Sequence, residues 1–130
     1  MEQIIKSFTY GQDIDANTAV KFSQEGVVVK ATDPTDSVCG IALFSGLQGA
    51  KGDILMFGLS RVSTGAAVNA GDVLVASTGA KLIPLDTDDD QGQMTIVAKA
   101  LETASSAAIV SAFVNPQAIF VPEAEDAGQA

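Results

Sequence analysis

Apolar residues in this chain come in short bursts separated by polar or glycine punctuation, and the bursts are four to seven residues long. Ala19–Phe22, Gly26–Ala31, Val38–Phe44, Asp53–Leu59, Val73–Ala76, Lys81–Leu85, the start of Met94–Leu101, Ala108–Val114 and Ala118–Val121 all read as strands. Turn signals recur about every 8–12 residues, a spacing typical of all-β barrels and sandwiches. No segment sustains a 3.6-residue apolar period, so the pattern predicts at most one or two short helices. Asp33-Pro34-Thr35-Asp36 is a turn with a mechanism: Pro34 fixes φ and the Asp carboxylates can accept from nearby backbone amides.

The bursts repeat. EGVVVKATDPTDSVCGIALFSGLQGAKGDILMFGL (25–59) and TGAKLIPLDTDDDQGQMTIVAKALETASSAAIVSAFV (78–114) share an order of features. Each has an opening glycine, Gly26 or Gly79, then a short apolar strand and an acidic turn, Asp33–Asp36 or Asp86–Asp90. Each continues with a small apolar run, Ile41-Ala42-Leu43 or Ile96-Val97-Ala98, and ends in a strand, Ile54–Phe57 or Ile109–Phe113. Equivalent positions lie about 53–56 residues apart, which predicts two related β-units with a short insertion in the second. The expected fold is therefore all-β, a small β-barrel or β-sandwich built from two weakly repeated units.

Residues 1–12 read as an extended N-terminal arm, 13–122 as a single β-domain and 123–130 as a flexible acidic tail. In the arm, Ile4, Phe8 and Tyr10 fall on one side of a strand with Lys6 between them, and Ile5, Ser7 and Thr9 fall on the other. Such a strand can pair within its own domain or add to a neighbouring sheet.

Composition narrows the function. The 130 residues carry a net charge of −9, and the seven basic side chains are scattered, which disfavours direct binding to nucleic acid. No apolar run reaches the length of a membrane span, and MEQIIKSFTYG lacks the apolar core of a secretory signal. The chain has no His and one cysteine, Cys39, so neither a His-based catalytic site nor a multi-cysteine zinc site can be built. Ser45 and Lys51 have no spacing that supports a nucleophile–base pair. Gly46, Gly49 and Gly52 lack the Lys-Ser/Thr of a phosphate loop. Asp86, Asp88 and Asp90 match the opening of a calcium loop, but Gln91 stands where glycine is needed and Val97 where a bidentate Glu is needed. A solvated turn with at most weak Ca²⁺ binding is the expectation. No catalytic, cofactor or metal residues are assigned.

A family resemblance rests on Val38-Cys39-Gly40-Ile41-Ala42, the Gly-rich loop, Ile54–Phe57, and Ala70-Gly71-Asp72-Val73-Leu74-Val75 leading into Thr78-Gly79-Ala80-Lys81. Over roughly residues 12–115 the chain resembles the capsid cement, or head decoration, proteins of tailed bacteriophages. The resemblance implies a non-enzymatic protein made in the host cytoplasm and carried on the outer surface of the virion. It implies homotrimers at three-fold and quasi-three-fold positions, bound to the major capsid protein of the expanded head and stabilising its lattice. On that footing Ile4, Ile5, Phe8 and Tyr10 are the expected capsid-contacting arm, and removing residues 2–10 is expected to leave a folded domain. The alternatives are a β-sandwich module or fibre-base protein contacting host surface or glycan, and a small enzyme working with carboxylates alone. With no Trp and one Tyr, the chain has little aromatic surface to stack on a sugar.

Overall fold

The computed structural model describes residues 3–86 and 92–121. Among these the protein is almost entirely β: β1 (Ile4–Tyr10), β2 (Ala19–Gln24), β3 (Val27–Lys30), β4 (Val38–Ala42), β5 (Lys51–Ser63), β6 (Val73–Ala76), β7 (Leu82–Pro84), β8 (Gly92–Ala100) and β9 (Ile109–Val121). The helical content described is one 3₁₀ turn, Thr78–Ala80. Strand order is β1-β3-β2-β4-β5-β9-β8-β6-β7, and β1 also pairs with β5, so the first five strands close into a barrel.

The second unit repeats the first strand for strand. In the barrel, β1 runs parallel to β3, with Tyr10 opposite Val28. The ladder then continues antiparallel through β2 and β4 to β5. In the second unit the C-terminal half of β5 takes the role of β1, and Thr64, the residue after it, stands opposite Leu82 of β7 in a parallel bridge. The ladder continues antiparallel through β6 and β8 to β9. Tyr10 thus corresponds to Thr64, Val20 to Leu74 and Val28 to Leu82, a spacing of 54 residues. Gly40 corresponds to Ala98 and Leu55 to Phe113, a spacing of 58. The four extra residues fall between β7 and β8, in the acidic segment.

Backbone hydrogen bonds outside the strands obey the same two spacings. The Gly11 N–H donates to the Val28 carbonyl and the Gly65 N–H to the Leu82 carbonyl, both at 2.8 Å. The reciprocal bridge between Ile14 and Gly46 recurs between Val68 and Ala104, every bond at 2.9 Å. Even a side-chain bond is copied: Ala16 N–H to Ser45 Oγ at 2.9 Å, and Ala70 N–H to Thr103 Oγ1 at 3.0 Å. A backbone group withdrawn from water must find a partner, and both units place those partners at the same topological positions.

These registers correct the sequence alignment of the halves in detail. Ile41-Ala42-Leu43 matches Lys99-Ala100-Leu101, not Ile96-Val97-Ala98, and Gly26 matches Ala80 rather than Gly79. Ala108–Val114 and Ala118–Val121, expected as separate strands, form the single 13-residue β9, and Asp53–Leu59 extends to the 13-residue β5. β5 ends the first unit and begins the second. β9 runs on through Pro116, which sits beside the register shift in the β8–β9 ladder, where a missing N–H costs no ladder bond.

Tyr10, Ile14, Val20, Val28, Ala42 and Ile54 form the barrel core, with Phe8, Cys39 and Met56 against them. Eight of the nine counterparts, Val62, Val68, Leu74, Leu82, Val97, Ala100, Ala112 and Val114, lie in the second core. The ninth, Thr64, is buried and exchanges 3.0 Å hydrogen bonds with Ala108. The second core also takes in Ala19, Ala31, Val38, Ile41 and Leu55 from the barrel's outer wall, which fastens the units together. The Thr95 N–H donates to the Pro34 carbonyl at 2.9 Å across the same junction.

Candidate interaction surfaces

The four arm residues separate in the structure. β1 is a wall strand of the barrel, registered on β5 from Ile4 opposite Phe57 to Thr9 opposite Lys51. Tyr10 is 1% exposed, and its hydroxyl donates to the Phe44 carbonyl at 2.7 Å. It is a core residue, with no surface to offer a partner. Phe8 is half-buried and meets Phe22 edge-on at 5.0 Å. Ile4 and Ile5 remain exposed. A register shift between them sets both on the side of β5 that carries Leu55 and Phe57. Removing residues 2–10 would therefore open the barrel, so substitution of Ile4 and Ile5 is the informative perturbation.

Ile4 begins an apolar row across the molecule. It stands opposite Phe57, whose ring meets Phe113 edge-on at 5.2 Å. Exposed Leu59 also faces Phe113. Phe113 stands opposite Lys99, and Lys99 opposite Val73. The row ends in an open groove of about 250 Å³ lined by Val73, Ile96, Lys99, Phe113, Asn115 and Gln117.

A second apolar feature caps one end of the barrel. Phe44 and Leu47 are 60% and 71% exposed, yet the loop carrying them is tied on every side. The Ile14–Gly46 bridge and the Tyr10 hydroxyl hold its backbone. Ser45 Oγ accepts from Ala16, and the Gln48 N–H donates to Asp13 Oδ1 at 2.9 Å. Exposed Asp13 and Asp15 flank it. Sequence reasoning put Phe44 at the end of the strand Val38–Phe44 and passed over Leu47 as a loop residue, whereas β4 ends at Ala42. The signal available was two large apolar side chains in a glycine-punctuated loop that has no core to enter.

Among the described residues, the chemistry weighed from sequence finds no assembled site. Burial pushes the Cys39 thiol up to about 11, so it is protonated and unreactive at neutral pH. Gly46 and Gly52 serve packing: a Cβ on Gly46 would stand 2.7 Å from Tyr10 Cε2, and one on Gly52 would collide with the Tyr10 hydroxyl. Asp33 accepts from the Thr35 N–H and hydroxyl, as the turn chemistry expects, and these bonds hold its carboxyl below the usual range. Asp88 and Asp90 of the acidic run lie outside the described residues. Among the described residues no three metal-ligating side chains converge.

No protein-family model matches this chain, and no curated protein does. Solved structures do. The chain is similar to the N base of the head fiber protein gp8.5 of bacteriophage phi29, with a TM-score of 0.66 and 16% sequence identity. The likeness covers 88% of this chain and 95% of that one, so it spans both units. At that identity it shows a shared fold.

Proposed function

We propose that this protein is a structural component of a bacteriophage virion, binding the outer surface of the expanded head and stabilising the lattice of major capsid subunits. The observation that carries the reading is the fold shared, across both units, with a protein described as the base of a phage head fiber. The sequence resemblance to cement proteins points the same way. On this reading the protein is no enzyme, associates as homotrimers at three-fold and quasi-three-fold positions, and touches neither genome nor membrane. Ile4 and Ile5 contact the capsid, with Phe8 behind them. A protein that binds only the expanded lattice stabilises it by mass action, and repetition over many local three-folds multiplies a modest contact.

The same likeness favours a second reading, that the chain is itself the base of a head fiber. Co-sedimentation with expanded and unexpanded heads tests both. Saturable binding to expanded heads, in a fixed ratio to the major capsid protein, supports the cement reading, and sparse attachment supports the fiber base. Replacing Ile4 and Ile5 by Ser should leave the fold intact and weaken head binding about tenfold or more, since each removes an exposed apolar anchor. Wild-type saturation by that variant would remove the two residues from the contact.

A further inference from the structure

The groove on the second unit has a counterpart on the barrel, and there it is filled. Val73, Ile96, Lys99 and Phe113 correspond to Ala19, Val38, Ile41 and Leu55. Those four are buried in the shared core because the second unit packs over them. This patch of the fold is thus one that a neighbouring unit covers. On the second unit it is open, and a lysine replaces the isoleucine.

The capping loop shows the opposite asymmetry. Phe44 and Leu47 project from the barrel, whereas their counterparts on the second unit are Glu102 and Ser105. One chain therefore carries an apolar knob on its first unit and an open apolar groove on its second. The knob is flanked by Asp13 and Asp15, and the groove contains exposed Lys99.

We propose that the groove on the second unit receives the Phe44–Leu47 loop of a second copy of this chain, with Lys99 meeting Asp15. Asp13 already accepts from Gln48, whereas among the described residues no hydrogen bond or ion pair engages the Asp15 carboxylate. The loop is held by its hydrogen bonds before contact, so little ordering opposes docking. Burying two apolar side chains supplies the attraction, and the lysine–aspartate pair supplies the register. A knob on one unit and a groove on the other give a head-to-tail contact, which closes into a ring or runs on as a filament. The inference specifies the face used in the self-association proposed above, and it can fail without the head-binding reading failing.

Sedimentation velocity on the full chain tests it. Wild type should associate in a concentration-dependent way. Lys99→Asp and Asp15→Lys should each weaken association about tenfold or more, and the double reversal should return it to within about threefold of wild type. Leu47→Ser should dissociate the assembly while far-UV circular dichroism stays unchanged. A wild type that remains monomeric at its highest soluble concentration overturns the inference, as does a double reversal no better than the singles. Head binding by a monomeric wild type would leave the virion reading standing. An associating wild type that ignores heads would leave the inference and remove that reading.

Discussion

The barrel and the second unit share one hydrogen-bond plan and fill it with different volumes. In the barrel Tyr10 crosses the interior, and Gly46 and Gly52 yield it room. At the same three positions the second unit has Thr64, Ala104 and Val110. Ring volume given up at one site returns as methyl groups at the other two. Elsewhere Val20 and Val28 become Leu74 and Leu82, while Ile54 and Met56 become Ala112 and Val114. Backbone pairing fixes the architecture, and the interior need only reach native density by some combination of side chains.

That exchange can be broken from one side. Gly52→Val gives the barrel the valine of its counterpart without removing the tyrosine. Gly52 lies outside the left-handed region, so the damage is steric. The cost should be about 3 kcal/mol or more in urea denaturation, at the upper end for overpacking. Tyr10→Thr alone should cost a similar amount through the cavity it leaves. Combined, the two should be less damaging than their sum by more than about 1 kcal/mol, because each relieves the other. Strict additivity would mean that the units do not exchange volume in this way.

Alkaline pH should separate the units next. Two barrel groups titrate from buried positions: Cys39, raised from 9.0 to about 11 by burial, and Tyr10, raised by burial and by the Asp53 carboxylate. Their counterparts, Val97 and Thr64, do not titrate in this range. Both barrel groups are held neutral in the folded state, so the unfolded chain loses these protons first. Their contribution is intact below about pH 9 and is lost as pH climbs through the unfolded values toward the folded ones. For Cys39 the loss should be of order 1–2 kcal/mol between pH 9 and 11, allowing for its partial exposure. Cys39→Val, which copies Val97, should flatten the stability profile in that interval. An unchanged profile would take Cys39 out of the alkaline sensitivity and leave it to Tyr10 or to groups outside the barrel.

The all-β fold, the repeat and its short insertion were legible because strand length and turn spacing are written in burst length and glycine punctuation. The register of the repeat was not. Ile96-Val97-Ala98 looks more like Ile41-Ala42-Leu43 than Lys99-Ala100-Leu101 does, and only the ladders show that Lys99 stands where Ile41 does. A site buried in one unit and open in the other places different demands on its side chains, so similarity misleads where the units differ in surroundings. For the arm, the sequence left open whether the strand pairs within its own domain or adds to a neighbour, and β1 pairs with β5 of its own barrel. Strict alternation set Ile4 with Phe8 and Tyr10 on one side, but the register shift after Ile4 puts Ile4 with Ile5, and Tyr10 is a core anchor. The apolar row was invisible because its members, Ile4, Phe57, Phe113 and Val73, lie far apart in the chain. The knob's two side chains lie three residues apart, and only their exposure was hidden.

The smallest test concerns the two hairpin turns. Gly26, between β2 and β3, has a φ of 79°, and its counterpart Ala80, ahead of β7, has a φ of 63°. Both occupy left-handed backbone, where an L side chain costs about 1–2 kcal/mol. A Cβ on Gly26 would meet nothing within 4 Å, whereas Ala80 is fully buried. The methyl of Ala80 therefore recovers about 0.8 kcal/mol by burial, and alanine also restricts the unfolded chain by about 0.4–1 kcal/mol relative to glycine. Ala80→Gly removes strain, burial and restriction together, and should change stability by less than about 0.5 kcal/mol. Gly26→Ala adds the strain with no packing in return and should lose about 1 kcal/mol despite the restriction it brings. Equal effects at the two sites would show that burial of the Ala80 methyl does not offset its backbone conformation, and that the second hairpin is held by its ladder alone.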